Sequence, residues 1–358
     1  MMNKLKYIGA LFMPLLVFGS LYAGGYWPFN VVCFTFVLLP LLEVVLPMST
    51  TNMTKLEEAI SREDSFYDGL LYLIVPLQYG LLFYFLWIVT ERTMNPVELI
   101  GCILAFGIAC GAFGINVAHE LGHRNTWYEQ WMSKALLLTS LNTHFFIEHN
   151  RGHHLHVSTH EDPASARRGE WLYFFWFRSM IGEWINAWKL EFQRLKKEGK
   201  HPLHWSNTMA QYQIIQALLC GGIAWYFGVW TMVYFIIAAI IGILLLETIQ
   251  YIEHYGLRRA RNEHGSYEKT RPVHSWNSNH PLGRILLFEL TRHSDHHYIP
   301  SRKYQILRHF DESPQLPAGY PGSMLLSLFP PLFFWVMHPK IDQLMAKDLQ
   351  EGKPSIEH

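Results

Sequence analysis

Six apolar runs, each near the length that crosses a bilayer, limit what this chain can fold into. Inside hydrocarbon every backbone polar group must be satisfied within the protein, so a long apolar run that crosses a membrane does so as a helix. About 20 residues are needed for a crossing. The runs lie at 7–23, 28–46, 70–89, 97–118, 213–228 and 231–249. The first follows Lys4 and Lys6 and has the outline of a signal peptide, but its length favours a retained helix. Only 16% of the residues are charged, against about 25% in soluble domains. The expected fold class is therefore all-α: one integral membrane domain, 1–358, built as a bundle of six transmembrane helices.

The polar segments between the runs set the orientation. The loops at 24–27 and near Gly228 have no Lys or Arg, and the loop at 91–96 has one. The amino terminus, the 51–68 loop, the 119–207 segment and the part after 250 carry nearly all the basic residues. The positive-inside rule puts both termini and these segments in the cytoplasm, with the bacterial inner membrane as the expected location. The 131–147 run is too short to cross and reads as a buried or membrane-dipping helix. The 184–197 stretch reads as amphipathic with a basic end. The 324–336 run, interrupted by Pro330 and Pro331, reads as interfacial, and 340–358 as a polar tail. Net charge is zero, which gives no reason to expect a nucleic-acid partner. Cys33, Cys102, Cys110 and Cys220 sit in apolar runs without a CxxC pair, so neither a disulfide framework nor a thiolate metal site is expected. Gly107, Gly111 and Gly114 mark the fourth run as one that packs closely against another helix.

Histidine is the unusual residue, at 20. His119 and His123 stand four apart at the end of the fourth run, so a helix presents both rings on one face. His149 and His153 repeat the spacing, with His154 beside them, and His293, His296 and His297 form a third group. The six-span topology places all three groups on the cytoplasmic face, in a histidine-rich cap made of 119–207 and 250–339. His254, just past the sixth run, is a ninth candidate. Neutral imidazole is the commonest metal ligand, and eight or nine are more than one metal uses. Two metals follow, and a nitrogen-rich donor set suits iron, copper, zinc or nickel. Glu120, Glu148, Glu253 and Asp295 adjoin cluster histidines and are candidates to orient them, since a ligating imidazole usually donates its other N–H to a carboxylate or carbonyl.

Two other functional classes were weighed. His119-Glu120-Leu121-Gly122-His123 matches the HExxH pattern of zinc proteases, in which the glutamate is the general base; that reading leaves the other two clusters unexplained. A divalent-metal transporter calls for ionisable groups within several spans, and only Glu43, Asn116 and Glu247 qualify.

The motifs His119–His123, Glu148–His154, Tyr251–Gly256 and Leu290–His297 together resemble those of the membrane-bound alkane 1-monooxygenases. The stretches 162–167 (DPASAR), 274–279 (HSWNSN) and 316–322 (LPAGYPG) resemble the same family. The histidine boxes alone are shared with fatty-acid desaturases and hydroxylases and with xylene-type methyl monooxygenases. The resemblance implies a di-iron enzyme that hydroxylates the terminal methyl of medium- or long-chain n-alkanes with O2. It implies electrons from NADH through rubredoxin reductase and a separate rubredoxin, because this chain has no Cys-rich rubredoxin segment. It implies nine ligands: His119, His123, His149, His153, His154, His254, His293, His296 and His297. His160 departs from the proline expected before Glu161-Asp162-Pro163, and Glu43 from the usual aspartate.

The chemistry agrees. An unactivated C–H bond needs an oxidant made at a redox metal, with the protein supplying position and exclusion of water. A substrate without a polar handle needs an apolar channel, here fed from lipid. Thr35, Leu39 and Glu43, four apart in the second run, are candidates to line it. Arg258 and Arg259, following the sixth run, are candidates to dock the electron donor, with membrane anchoring as the plainer reading.

Overall fold

A computed structural model describes residues 4–261 and 263–350. Among them there is no strand; two isolated bridges, Arg261 with Tyr267 and Asn277 with Gln315, are the only extended pairing. The all-helical expectation holds. The chain divides into two compact units, one of Met1–Val37, Asp64–Gly152 and Glu183–Leu246, the other of Leu38–Glu63, His153–Gly182 and Glu247–His358. The terminal residues of the expected polar tail, 351–358, lie outside the described residues.

Four helices are long and apolar enough to cross a membrane: α1 (Lys4–Ala23), α4 (Ser65–Glu91), α5 (Pro96–Gly122) and α10 (Val229–His254). The second apolar run forms a shorter helix, α2 (Phe29–Val45), and α3 (Lys55–Glu63) is the amphipathic helix before α4. Helix α9 (Thr208–Phe227) covers the fifth run and opens with a more polar turn.

In the first unit the helix starts are written in the sequence. Asp64 accepts the Phe66 amide at 3.0 Å to start α4. Asn95 and Glu98 form a reciprocal capping box at the start of α5, with Pro96 in the first turn. Helices α5 and α10 approach so closely that a Cβ on Gly107 would lie 2.7 Å from Ile241, and one on Gly242 would lie 2.6 Å from Cys110. Gly107 and Gly111 thus do what their spacing predicts: they remove the side chains that would hold the two helices apart, while Gly114 faces Gln78 of α4. The 131–147 run is two helices rather than one. Helix α6 (Trp127–Leu138) ends in a turn where Leu141 takes a φ of +54°, and a second helix, α7, runs over 145–156.

The second unit has a polar interior. Arg284 and Arg292 are buried. Arg284 pairs with Glu289 at 2.5 Å. Arg292 donates to the carbonyls of Leu307 and Thr51, at 2.7 and 3.0 Å. A buried guanidinium is tolerated only when its donors are satisfied, and these contacts tie the 49–52 loop to the segment after 280. The short helices α11 (Pro281–Leu286), α12 (His293–Tyr298) and α13 (Tyr320–Ser327) lie in this segment. Two expectations are corrected here. Pro330 and Pro331 open helix α14 (Pro330–Gln350) rather than break one, since proline has no amide to lose in a first turn. The tail is helical as far as Gln350. Helix α8 (Leu172–Lys197) likewise begins well before the amphipathic stretch expected at 184–197.

Candidate metal centre

The histidines come from helix ends and from one deformed helix. In the first unit His119 sits in the last turn of α5 and His123 caps it. His149 lies on α7, where residues His149–His153 form a π-helical turn. The rings of His119 and His149 have centroids 4.2 Å apart, and Nε2 of His123 lies 3.1 Å from Nε2 of His149.

In the second unit His153, His254, His293 and His297 are all buried, and their ligand atoms all lie within 4.8 Å of one another. Nε2 of His153 is 3.2 Å from Nε2 of His297, and Nε2 of His293 is 3.2 Å from Nε2 of His254. Nearby in the same unit, Nε2 of His154 and Nε2 of His296 stand 3.1 Å apart. Each unit therefore gathers imidazoles with the same ring nitrogen turned toward a shared point. Burial, and then the neighbouring imidazoles, push the pKa of His297 well below its ordinary value, which keeps its lone pair available. Neutral nitrogen donors in a dry pocket are the donor set that first-row transition metals take, and the residues fit such an ion.

The carboxylates beside the histidines hold different positions from those their adjacency predicts. Glu120 pairs with Arg124 at 2.7 Å, which removes it from the role of a free general base and speaks against the protease reading. Glu148 accepts the Asn186 amide at 3.1 Å. Asp295 receives Arg302 at 2.6 and 2.5 Å and the Arg308 amide at 2.7 Å. It acts as a latch on the loop after α12. Glu253 accepts the Tyr320 hydroxyl at 2.5 Å, and its other oxygen lies 3.1 Å from Nε2 of His293. That is the nitrogen facing His254, so Glu253 stands on the metal side of the ring, not behind it.

The carboxylate that does stand behind a ligand is Asp162, which sequence adjacency missed. Its Oδ2 lies 3.0 Å from Nδ1 of His153, while Nε2 of the same ring faces His297. Ser165 donates to the same oxygen at 2.5 Å. Burial alone would raise the Asp162 pKa, but His153 and these hydrogen bonds outweigh it and hold the carboxylate below its usual range. The signal was present in the DPASAR stretch, nine residues beyond the histidine it orients.

Two further expectations fare differently. Arg258 and Arg259 are buried, each 6% exposed, and Arg259 donates to the Leu155 carbonyl at 2.6 Å. A guanidinium committed inside the fold is not offered to a docking protein, so the donor-docking assignment to this pair is corrected. Of the channel candidates, Thr35 is half-buried in a π turn at Phe34–Leu38, while Leu39 and Glu43 are buried in the second unit. Glu43 accepts the Gly283 amide at 3.0 Å, and its carboxylate lies where a Cβ on Gly319 would be; Glu43 ties α2 to the segments after 280.

The fatty acid desaturase family model matches residues 94–324 of this all-helical chain. Relatives narrow the class. Alkane 1-monooxygenase 2 of Pseudomonas aeruginosa is 42% identical over 325 residues, covering 90% of this chain and 86% of its own. Alkane 1-monooxygenase of Ectopseudomonas oleovorans is 40% identical over 315 residues, 87% of this chain and 78% of its own. The hydroxylase component of a xylene/toluene monooxygenase of Pseudomonas putida is 30% identical over 327 residues, 89% of this chain and 84% of its own. The chain belongs to the alkane 1-monooxygenases of this superfamily and is an integral membrane oxidoreductase.

Proposed function

We propose that the protein hydroxylates the terminal methyl of medium- and long-chain n-alkanes at a pair of irons. One iron is assigned to His153, His254, His293 and His297, which converge within the second unit; His119, His123, His149, His154 and His296 are the remaining candidate ligands. The observation that carries this reading is the convergence of four buried imidazoles in the second unit. Bound iron supplies the redox chemistry that activates O2: one oxygen atom enters the alkane as a 1-alkanol and the other leaves as water, with two protons and two electrons. The electrons come from NADH through rubredoxin reductase and rubredoxin.

The chain's own groups supply position and dryness. Asp162 accepts a hydrogen bond from Nδ1–H of His153 and fixes which nitrogen is free. Burial of His153, His254, His293 and His297 shuts water out of this set. The reading includes six spans, with α2 and α9 joining the four long apolar helices. It also puts both termini and the metal centre in the cytoplasm, as the distribution of Lys and Arg requires. Alkane then arrives from the lipid. The experiment is product analysis under ¹⁸O₂ with an n-alkane, a fatty acid and a methylarene, in the presence of NADH, reductase and rubredoxin. Labelled 1-alkanol as the main product supports the reading. Preference for the methylarene would favour the chemistry named in the xylene/toluene relative, and desaturated fatty acid without label would overturn hydroxylation.

A further inference from the structure

Helix α8 (Leu172–Lys197) is inside out for a helix in water. The positions it buries, four apart, are Phe175, Ser179, Glu183, Ala187, Glu191 and Leu195. Its exposed stripe is Phe174, Phe177, Ile181, Trp184, Ile185 and Phe192, with Phe174 and Phe177 each about 70% exposed. The stripe runs on for about 25 Å at the helical rise, longer than a patch a soluble surface leaves open. No charged side chain is fully exposed between Trp171 and Ile185; the exposed cations Lys189, Lys196 and Lys197 come only toward the carboxyl end. Composition excludes a span, because Arg178, Glu183, Lys189, Glu191 and Arg194 all lie within the helix. Trp176 Nε1 donates to Thr248 Oγ1 at 3.0 Å, which ties the amino-terminal half of α8 to a residue near the end of the membrane-crossing helix α10.

We propose that α8 lies in the plane of the membrane, its aromatic stripe in the acyl-chain boundary and its lysine end against anionic lipid headgroups. The tie to α10 sets the depth, since Thr248 is within two turns of the end of a span. The absence of exposed charge along the first half lets that half sink into the boundary, while the lysines keep the other end in the headgroups. Buried Glu183 and Glu191 face the protein, so none of the acidic groups meets the lipid.

The test uses the full-length protein in nanodiscs containing phosphatidylglycerol. p-Benzoylphenylalanine replaces Phe177 in one variant and Ile181 in another, and the photo-adducts are identified by mass spectrometry. Phospholipid adducts at both positions, and little lipid adduct for a control at Gln193, are expected. In parallel, spin labels on Phe177→Cys and Lys197→Cys, in a background with the four native cysteines replaced, should show oxygen favoured at 177 and a water-soluble nickel chelate at 197. Cross-links to peptide of a second copy would overturn the proposal, as would nickel accessibility at 177. If the cysteine-free background fails to fold, the cross-linking alone decides, since it keeps every native cysteine.

Discussion

At the scale of single residues, the side of an imidazole on which a carboxylate stands decides what it does. Asp162 sits behind His153 and Glu253 sits in front of His293, so the two should fail differently. Asp162→Asn is expected to weaken metal binding by about 10- to 100-fold while leaving the spectrum of the bound metal unchanged. Glu253→Gln is expected to alter the visible absorption of the cobalt-loaded protein, because the carboxylate lies on the metal side. Chelator competition and absorption spectroscopy on both variants separate the two; identical behaviour would contradict the assignment. His144 supplies a pH dependence. Burial pushes its pKa down to about 4 from an ordinary 6.5. Between those values the unfolded chain binds a proton that the folded chain refuses, so stability falls as pH drops from 6.5 toward 4 and is fully present above 6.5. The loss is roughly 3 kcal/mol at 1.36 kcal/mol per unit. Thermal unfolding in detergent should show this acid slope in the native protein and lack it in His144→Gln. Eight of the histidines were legible as candidates because they cluster in the chain, and His254 was legible mainly through the resemblance. Asp162 was not, because chain adjacency is a poor guide to which face of a ring a carboxylate reaches.

At the scale of elements, helix periodicity served well until the backbone left the α-helix. His119 and His123, four apart at the end of α5, face the same cluster as expected. His149 and His153, also four apart, turn to different partners, His123 and His297, because the turn between them is π-helical. A π turn also interrupts α2, at Phe34–Leu38. Nothing in residue type announces a π turn, so the sequence reads both as regular. Gly152 leaves room for the Glu148–Asn186 hydrogen bond beside α7: an added Cβ would lie 2.6 Å from Oε1 of Glu148 and 2.7 Å from Nδ2 of Asn186. Gly152→Ala is therefore expected to destabilise the protein by about 1–3 kcal/mol and to lower its metal content. Metal analysis with thermal unfolding checks it, and a variant with native stability and metal would show that the close approach is not needed. The glycines of α5 were legible for the opposite reason: small residues at a helix–helix crossing need only an α-helix for their spacing to count.

At the scale of the whole molecule, apolar composition indicated a membrane protein, and the basic loops gave it a direction. What composition hid was the buried polar interior of the second unit. Arg284, Arg292 and Asn279 are buried there, in a segment whose sequence reads as a polar surface. Hydrogen bonding, which residue type does not reveal, is what allows them inside. Such an interior holds short helices and loops in fixed positions, as a histidine set drawn from three separate stretches of this unit requires. The central claim is that the histidines form two iron sites with separate ligand sets. Iron quantification on purified protein tests it most directly, comparing the native chain with His297→Ala, which removes a ligand from one set only. Two irons per native chain, falling to one in the variant, is the predicted result; a native chain holding zinc, or an iron content that His297→Ala leaves unchanged, would contradict it.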